Sequence, residues 1–180
     1  MKAQSAGKEI YMTFVEFMNN LFNQLFTGTN IALIGAAIAV VATGIGSAKG
    51  VGQVAEASQG VMAEDPTKFT KLLFLQALPG TQGIYGFITA FILFFKLGLL
   101  STPVEITVTQ GVYFALLCMP IAIAGYISAI KQSRVAVAGI SVITKHPEES
   151  TKPLISAALV EMYAILALLI SLLPMLSYQF

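Results

Sequence analysis

The residue of this chain best placed to do chemistry is Glu161, an acid inside a long apolar stretch. It is the one charged residue between positions 153 and 173. A carboxylate at the centre of a membrane costs roughly 2.5–3.5 kcal/mol even on the lenient insertion scale, and such acids are typical of ion and proton pathways. Glu161 is therefore predicted to carry a cation or a proton.

Other polar residues are predicted to lie at the same depth as Glu161. Two short polar turns contain the prolines Pro66 and Pro147. Four residues lie 14 to 16 positions from one of these prolines: Thr81, Gln82, Gln132 and Glu161. With a rise of about 1.5 Å per residue, all four are about 21–24 Å from the turns. Three helical segments thus bring polar side chains to one layer.

The chemistry of this layer suits a monovalent cation. Carboxylate, amide and hydroxyl oxygens are ligands for hard cations, and one carboxylate balances one positive charge. Pro79 adds to the supply of oxygens, because proline removes a helical donor and loosens nearby carbonyl groups. Leu78, Thr81, Gln82 and Tyr85 also share one helix face. The alternative is that these side chains only hydrogen-bond neighbouring helices, which leaves Glu161 unexplained.

Composition indicates that the elements positioning these residues are membrane-spanning helices. Of 180 residues, 56% are hydrophobic and 11% are charged, and the mean hydropathy is +0.80. Soluble domains carry about 25% charged residues. Four apolar segments exceed the roughly 20 residues that span a bilayer: 31–62, 69–100, 111–143 and 154–176. None alternates with period two, so we predict an all-α membrane protein with four transmembrane helices.

The positive charges predict the orientation of these helices. Seven of the ten Lys and Arg residues are on or near the two proline turns: Lys49, Lys68, Lys71, Lys131, Arg134, Lys145 and Lys152. By the positive-inside rule the turns are cytoplasmic, and both termini lie outside. In a bacterium this is a multi-pass protein of the inner cell membrane.

An internal repeat divides the chain into two similar helical hairpins. A shift of 81 residues places Ser47 on Ser128, Pro66 on Pro147 and Lys71 on Lys152. Both copies insert in the same orientation, so this is a parallel duplication. We predict a first hairpin at 29–104 and a second at 105–180. Glu161 belongs to the second, and its counterpart in the first is Gly80.

Three motifs carry a family resemblance. The segments GIGSAKGVG (44–52), LPGTQGIYGF (78–87) and LVEMYAIL (159–166), with the proline turns, resemble the duplicated c-type proteolipids of V-type ATPases. The likeness is greatest to the K subunits of bacterial sodium-pumping V-ATPases and covers about residues 30–178. The glycines of the first motif, Gly44, Gly46, Gly50 and Gly52, are expected to permit close packing of helices.

The resemblance implies a function. Proteolipids of this family form a homo-oligomeric ring that rotates in lipid against a stator subunit of the a/I type, which supplies an arginine. Central-stalk subunits bind the cytoplasmic loops, and no nucleic acid is involved. The family's sodium ligands map onto five residues, with Tyr85 bonded to the carboxylate: Leu78, Thr81, Gln82, Gln132 and Glu161. The protein has no catalytic activity of its own, and the carried ion is Na⁺ or, alternatively, H⁺.

Two other functions remain open from the sequence. A small four-helix proton-coupled exporter also needs one membrane acid, but it needs neither the duplication nor the amide layer. A purely structural ring or pore does not account for Glu161. Residues 1–28 carry an apolar stripe that includes Phe14, Phe17 and Leu21, which predicts an amphipathic helix at the membrane interface. A cleaved signal is the alternative for this segment.

Overall fold

The computed structural model describes residues 2–180, with side chains from residue 12 onward. The described chain is helical almost throughout, without strands. Its α-helices are α1 (Lys2–Leu25), α2 (Gly28–Glu64), α3 (Phe69–Ala77), α4 (Thr81–Lys96), α5 (Val108–Lys145) and α6 (Thr151–Ser177). Single 3₁₀ turns occur at Pro66–Lys68, Leu78–Gly80 and Pro147–Glu149.

Four helical stretches of the described chain are long and apolar enough to cross a membrane. They are Gly28–Glu64, Pro66–Lys96, Val108–Lys145 and Pro147–Ser177, each of 31 to 38 residues. The second of these contains α3 and α4 together. The predictions of an all-α fold and of four spanning segments are confirmed, and α1 precedes them as an additional helix.

Local sequence signals set the ends of the spans. Thr27 and Thr107 cap α2 and α5, and their hydroxyls accept hydrogen bonds from the amides of Asn30 and Gln110. Such caps satisfy helix amides that have no partner within the helix. At the first proline turn Asp65 Oδ1 accepts from the Thr67 hydroxyl at 2.6 Å and from its amide at 3.0 Å. These bonds and Lys68 lower the pKa of the Asp65 carboxyl.

Lysines of the first hairpin reach across to the second hairpin beside the two proline turns. Lys68 Nζ donates to the Thr144 carbonyl at 3.1 Å, and Lys71 Nζ donates to the Pro147 carbonyl at 2.8 Å. Cations at the last carbonyl groups of a helix also interact favourably with its dipole. The two turns are therefore held together at one end of the protein, which we call the turn end.

Small residues allow α2 to pack closely against the helices around it. A Cβ atom added at Gly46 would lie 3.0 Å from the Tyr126 backbone, and one added at Gly50 would lie 2.9 Å from Pro79 Cβ. The prediction of close packing is confirmed for these two glycines. Nothing lies within 4 Å of a Cβ atom added at Gly44 or Gly52, so for these two glycines close packing against other protomers stays a prediction. Gly44 is nevertheless half-buried, and its Cα would lie 3.8 Å from a Cβ atom added at Gly83 of α4.

The core consists of two apolar clusters separated by polar residues. One cluster, near the turn end, includes Val54, Leu75 and Ile143. The other, near the opposite end, includes Ala36, Leu93 and Phe114. Buried polar side chains lie between them along the helices: Thr43, Ser47, Gln82, Ser128, Gln132 and Ser133. The polar layer predicted from the sequence is thus enclosed between two apolar regions.

Candidate ion-carrying site

Glu161 faces α4 from the middle of α6. The Tyr85 hydroxyl donates to Glu161 Oε1 at 2.5 Å, and the glutamate is half-buried. A hydroxyl donor satisfies one carboxylate oxygen in a region where water is scarce. The structure records no hydrogen bond to the other oxygen, Oε2, among the described residues, so that oxygen is free to accept a further partner.

Two buried amides lie in the same layer. Gln82 of α4 and Gln132 of α5 are fully buried, and Gln82 Nε2 donates to Gln132 Oε1 at 2.6 Å and to Ser128 Oγ at 3.3 Å. Gln82 Oε1 and Gln132 Nε2 have no hydrogen-bond partner. If both amides are turned over, the pair still leaves one oxygen and one nitrogen unpaired. An unpaired buried carbonyl oxygen is a suitable ligand for a cation.

A break in the second span supplies further oxygens. Pro79 lacks an amide hydrogen, and the backbone forms the 3₁₀ turn Leu78–Gly80 before α4 begins. Thr81 donates to the Leu78 carbonyl through both its amide and its hydroxyl, the latter at 2.9 Å. This arrangement confirms the predicted opening of the helix at Pro79. The Thr81 hydroxyl oxygen keeps its lone pairs for an ion, whereas the Leu78 carbonyl uses both of its lone pairs and accepts an ion only when one of the Thr81 bonds is released.

The structure brings the predicted residues together in pairs on facing helices. Direct contacts join Tyr85 to Glu161 and Gln82 to Gln132, while Thr81 and Leu78 contact each other in the broken turn. Their role as ion ligands stays a prediction, because these contacts establish the position of each group and not what it binds.

Two serines in this layer were missed by sequence reasoning about the site. The Ser47 hydroxyl oxygen accepts from the Gly83 amide at 2.7 Å. Ser128 accepts from Gln82 and donates to the Val160 carbonyl at 3.3 Å. A signal was available, since the two serines match each other in the internal repeat and each is a hydroxyl in an apolar helix.

The family is established by comparison with known proteins. The model of the family of ATP synthase C subunits matches the chain twice, at residues 34–93 and 116–173. The two matches fall in the two hairpins, in agreement with the duplication. The chain belongs to this family of ATP synthase C subunits, whose members form the membrane rotor rings of rotary ATPases.

Similarity to two relatives identifies the class of proteolipid within this family. The chain is 46% identical over 150 residues to the V-type sodium ATPase subunit K of Enterococcus hirae, covering 83% of this chain and 93% of that protein. It is 36% identical over 143 residues to the A-type ATP synthase subunit K of Methanocaldococcus jannaschii, covering 79% of this chain and 60% of that protein. The chain is thus a duplicated c-type proteolipid of the V/A-type ATPases.

This assignment confirms several predictions made from the sequence. The protein is a multi-pass membrane component of a homo-oligomeric rotor ring, and it translocates ions without catalysing a reaction on its own. The exporter and the purely structural pore are not supported, because the matched family covers both hairpins and has a rotary transport role.

Proposed function

We propose that this protein carries Na⁺ on Glu161 during ATP-driven rotation of a V-type ATPase ring. The observation that carries the proposal is the unpaired, fully buried Gln82 Oε1 in the layer of Glu161. The proposed ligands are the Leu78 carbonyl and the side-chain oxygens of Thr81, Gln82, Gln132 and Glu161. Tyr85 holds the carboxylate in position.

The mechanism follows from the cost of a charge in lipid. An ionised Glu161 facing hydrocarbon is unfavourable, so the ring turns through lipid only when a bound cation neutralises this carboxylate. Glu161 Oε1 keeps its bond to Tyr85, while Oε2 receives the ion. At the stator, an arginine of the a/I-type protein displaces the ion, and offset half-channels give it a direction across the membrane.

A proton is the second candidate for the carried ion. A protonated Glu161 also satisfies the requirement for neutrality in lipid, and Tyr85 can hold either form. A proton, however, needs no further oxygen ligands. The amide pair and the broken turn favour sodium, and so does the similarity to a protein whose name specifies a sodium ATPase.

Sodium protection of Glu161 from a carbodiimide tests the proposal. The reagent attacks the protonated carboxyl group, so bound Na⁺ should protect Glu161 in the detergent-extracted ring. Gln132→Ala should raise the sodium concentration for half-protection about tenfold, because it removes one oxygen and the 2.6 Å hydrogen bond that holds Gln82. Ser141→Ala is the matched control, since the exposed Ser141 hydroxyl bonds only within α5. Labelling that responds to pH and ignores sodium would favour a proton instead.

Whether the holoenzyme mainly pumps ions or makes ATP depends on the number of ion-carrying acids in each protomer. Gly80 occupies the position of Glu161 in the first hairpin, so each four-helix protomer has one carrier. A ring with a given number of helices then moves fewer ions per turn, and each ion receives a larger share of the free energy of ATP. This ratio favours pumping against steep gradients. Efficient ATP synthesis at ordinary membrane potential by the holoenzyme would contradict it.

The proposed orientation completes the function. The turns face the cytoplasm, where central-stalk subunits bind them, and both termini lie outside the cell membrane. Helix α1 ends at Leu25, and α2 begins its span at Gly28. The exposed Phe14, Phe17 and Phe22 of α1 are thereby placed at the membrane boundary, where we propose that they lie among the lipid headgroups.

A further inference from the structure

We propose that Ser47 positions the broken turn of the first hairpin and thereby sets the affinity of the ion site, without touching the ion. This inference rests on the proposed function, because it concerns the geometry of the same ligands. Ser47 is on α2, a helix that contributes none of the proposed ligands. The role is therefore that of a positioning residue.

The start of α4 creates the need for an outside acceptor. The first amides of a helix have no carbonyl partner one turn earlier in the same helix. In most helices water or a capping side chain satisfies them, but α4 begins in the interior of a membrane span. The turn Leu78–Gly80 provides one acceptor, the Leu78 carbonyl, which Thr81 uses. The Gly83 amide instead donates to Ser47 Oγ at 2.7 Å.

The contact between Ser47 and Gly83 is close and enclosed. Ser47 is only 7% exposed, so water cannot easily replace its hydroxyl. A Cβ atom added at Gly83 would lie 3.3 Å from both Cβ and Oγ of Ser47. The glycine thus permits the approach that the hydrogen bond requires, and the bond ties the first turn of α4 to α2.

Loss of this bond should change the ion ligands beside it. An unpaired buried amide is unfavourable, so the first turn of α4 would tighten until the Gly83 amide found a backbone carbonyl. The residues that this movement carries along are Thr81 and Gln82, which immediately precede Gly83. The Thr81 hydroxyl and the Gln82 amide, both proposed ligands, would then move relative to Glu161.

A serine at this position of the repeat does not by itself have a positioning role, as the second hairpin shows. Ser128, the repeat counterpart of Ser47, accepts from Gln82 Nε2 and donates to the Val160 carbonyl. Val160 is the counterpart of Pro79, and α6 is continuous there. Where no proline opens the helix, no amide of the helix start needs an acceptor. The two serines have the same position in the repeat and different hydrogen bonds.

The test compares Ser47→Ala with variants that separate hydrogen bonding from packing. In the assembled ring, Ser47→Ala and Ser47→Gly should raise the sodium concentration for half-protection of Glu161 about tenfold. Ser47→Thr, which keeps the hydroxyl, should stay within about threefold of the unaltered protein. Ser58→Ala is the control, because Ser58 is fully buried on the same helix and its hydroxyl donates to Val54 within α2. Hydrogen exchange over residues 78–85 should accelerate in Ser47→Ala and Ser47→Gly and not in Ser47→Thr or Ser58→Ala.

Two results would overturn the inference. One is a Ser47→Ala ring with the sodium dependence and the hydrogen exchange of the Ser58→Ala ring. The other is a Ser47→Thr ring that loses as much sodium affinity as Ser47→Ala, which would indicate packing and not the hydrogen bond. If sodium fails to protect even the unaltered ring, the proposed sodium function fails, and hydrogen exchange over residues 78–85 alone decides the role of Ser47.

Discussion

The two hairpins derive from one repeated unit, yet they contribute different things to the polar layer. In the first, Pro79 and Gly80 belong to a 3₁₀ turn whose Leu78 carbonyl accepts hydrogen bonds from Thr81, and they add no charge. In the second, Val160 and Glu161 occupy the same positions, and the helix is continuous there and carries a charged side chain. The duplication has thus separated two properties, an opened backbone and an ionisable group.

This separation has a physical reason. A broken helix leaves polar backbone groups unpaired, and a carboxylate leaves a charge unpaired; both are costly in a membrane. If the opened backbone and the carboxylate were adjacent in one helix, the same short segment would have to provide partners for the backbone groups and for the charge. On facing helices each provides what the other lacks, because the cation site that we propose takes oxygens from the first hairpin and the acid from the second.

The largest effect is expected when the acid of the second hairpin is removed. Glu161→Gln should abolish ion transport and the ATP hydrolysis coupled to it, because an amide cannot exchange a cation for the arginine of the stator. The ring should still assemble, since glutamine has nearly the same size and keeps a partner for Tyr85. Sodium uptake by vesicles containing the holoenzyme measures this.

The matched control for that variant is Gly80→Ala in the first hairpin. A Cβ atom at Gly80 makes only an ordinary contact of 3.4 Å with Val51, so transport should stay near its original rate. If Glu161→Gln transports ions at the full rate, Glu161 and Gly80 do not differ in function as proposed.

Pro79→Ala should make the first hairpin resemble the second. An alanine at this position restores the amide hydrogen and lets the helix close, at a gain of up to about 3 kcal/mol in helix stability. If the 3₁₀ turn becomes α-helical, the Leu78 carbonyl accepts from the Gln82 amide instead of the Thr81 amide, the proposed ligands shift, and sodium affinity should fall about 10–100-fold. Half-protection by sodium and the temperature of ring dissociation are the two measurements. A more stable ring with unchanged sodium affinity would contradict the proposed role of the break.

Tyr85→Phe should weaken the link between the hairpins more mildly. It removes the hydroxyl that donates to Glu161 Oε1 and leaves the ring of the side chain in place. Hydrogen bonds to charged groups contribute about 1.5–3 kcal/mol, so sodium affinity should fall about tenfold or somewhat more. Tyr126→Phe, at an exposed position on α5, is the control. If Tyr85→Phe and Tyr126→Phe have the same sodium affinity, Tyr85 does not support the ion site.

Deletion of residues 1–26 should have the smallest effect on ion binding. Helix α1 precedes the first hairpin and has no counterpart before the second, so the comparison predicts that the polar layer does not depend on it. Sodium protection of Glu161 should change by less than about twofold. A large loss of sodium protection would show that α1 supports the first hairpin.

The sequence predicted the spans and the depth of the polar layer because both depend on periodic, local properties. Hydrophobic length indicated the four spans, and the distances from Pro66 and Pro147 placed Gln82 and Glu161 at one level. The hydrogen-bond partners within the polar layer could not be predicted in the same way. The bond from Gly83 to Ser47 depends on how α2 lies against α4, and the open positions at Gly44 and Gly52 depend on which face of α2 is covered. These are tertiary properties that spacing along the chain does not contain.

The lysine contacts at the turn end bear on how the protein carries mechanical load. A lateral force on Glu161 acts first on the second hairpin and must reach the first hairpin for the protomer to move as a unit. Lys68 and Lys71 join the hairpins through the carbonyls of Thr144 and Pro147, which resists shear between them where the span ends. In the proposed rotary mechanism, a load on one hairpin would therefore pass to the other through these two hydrogen bonds as well as through the packing of the helices.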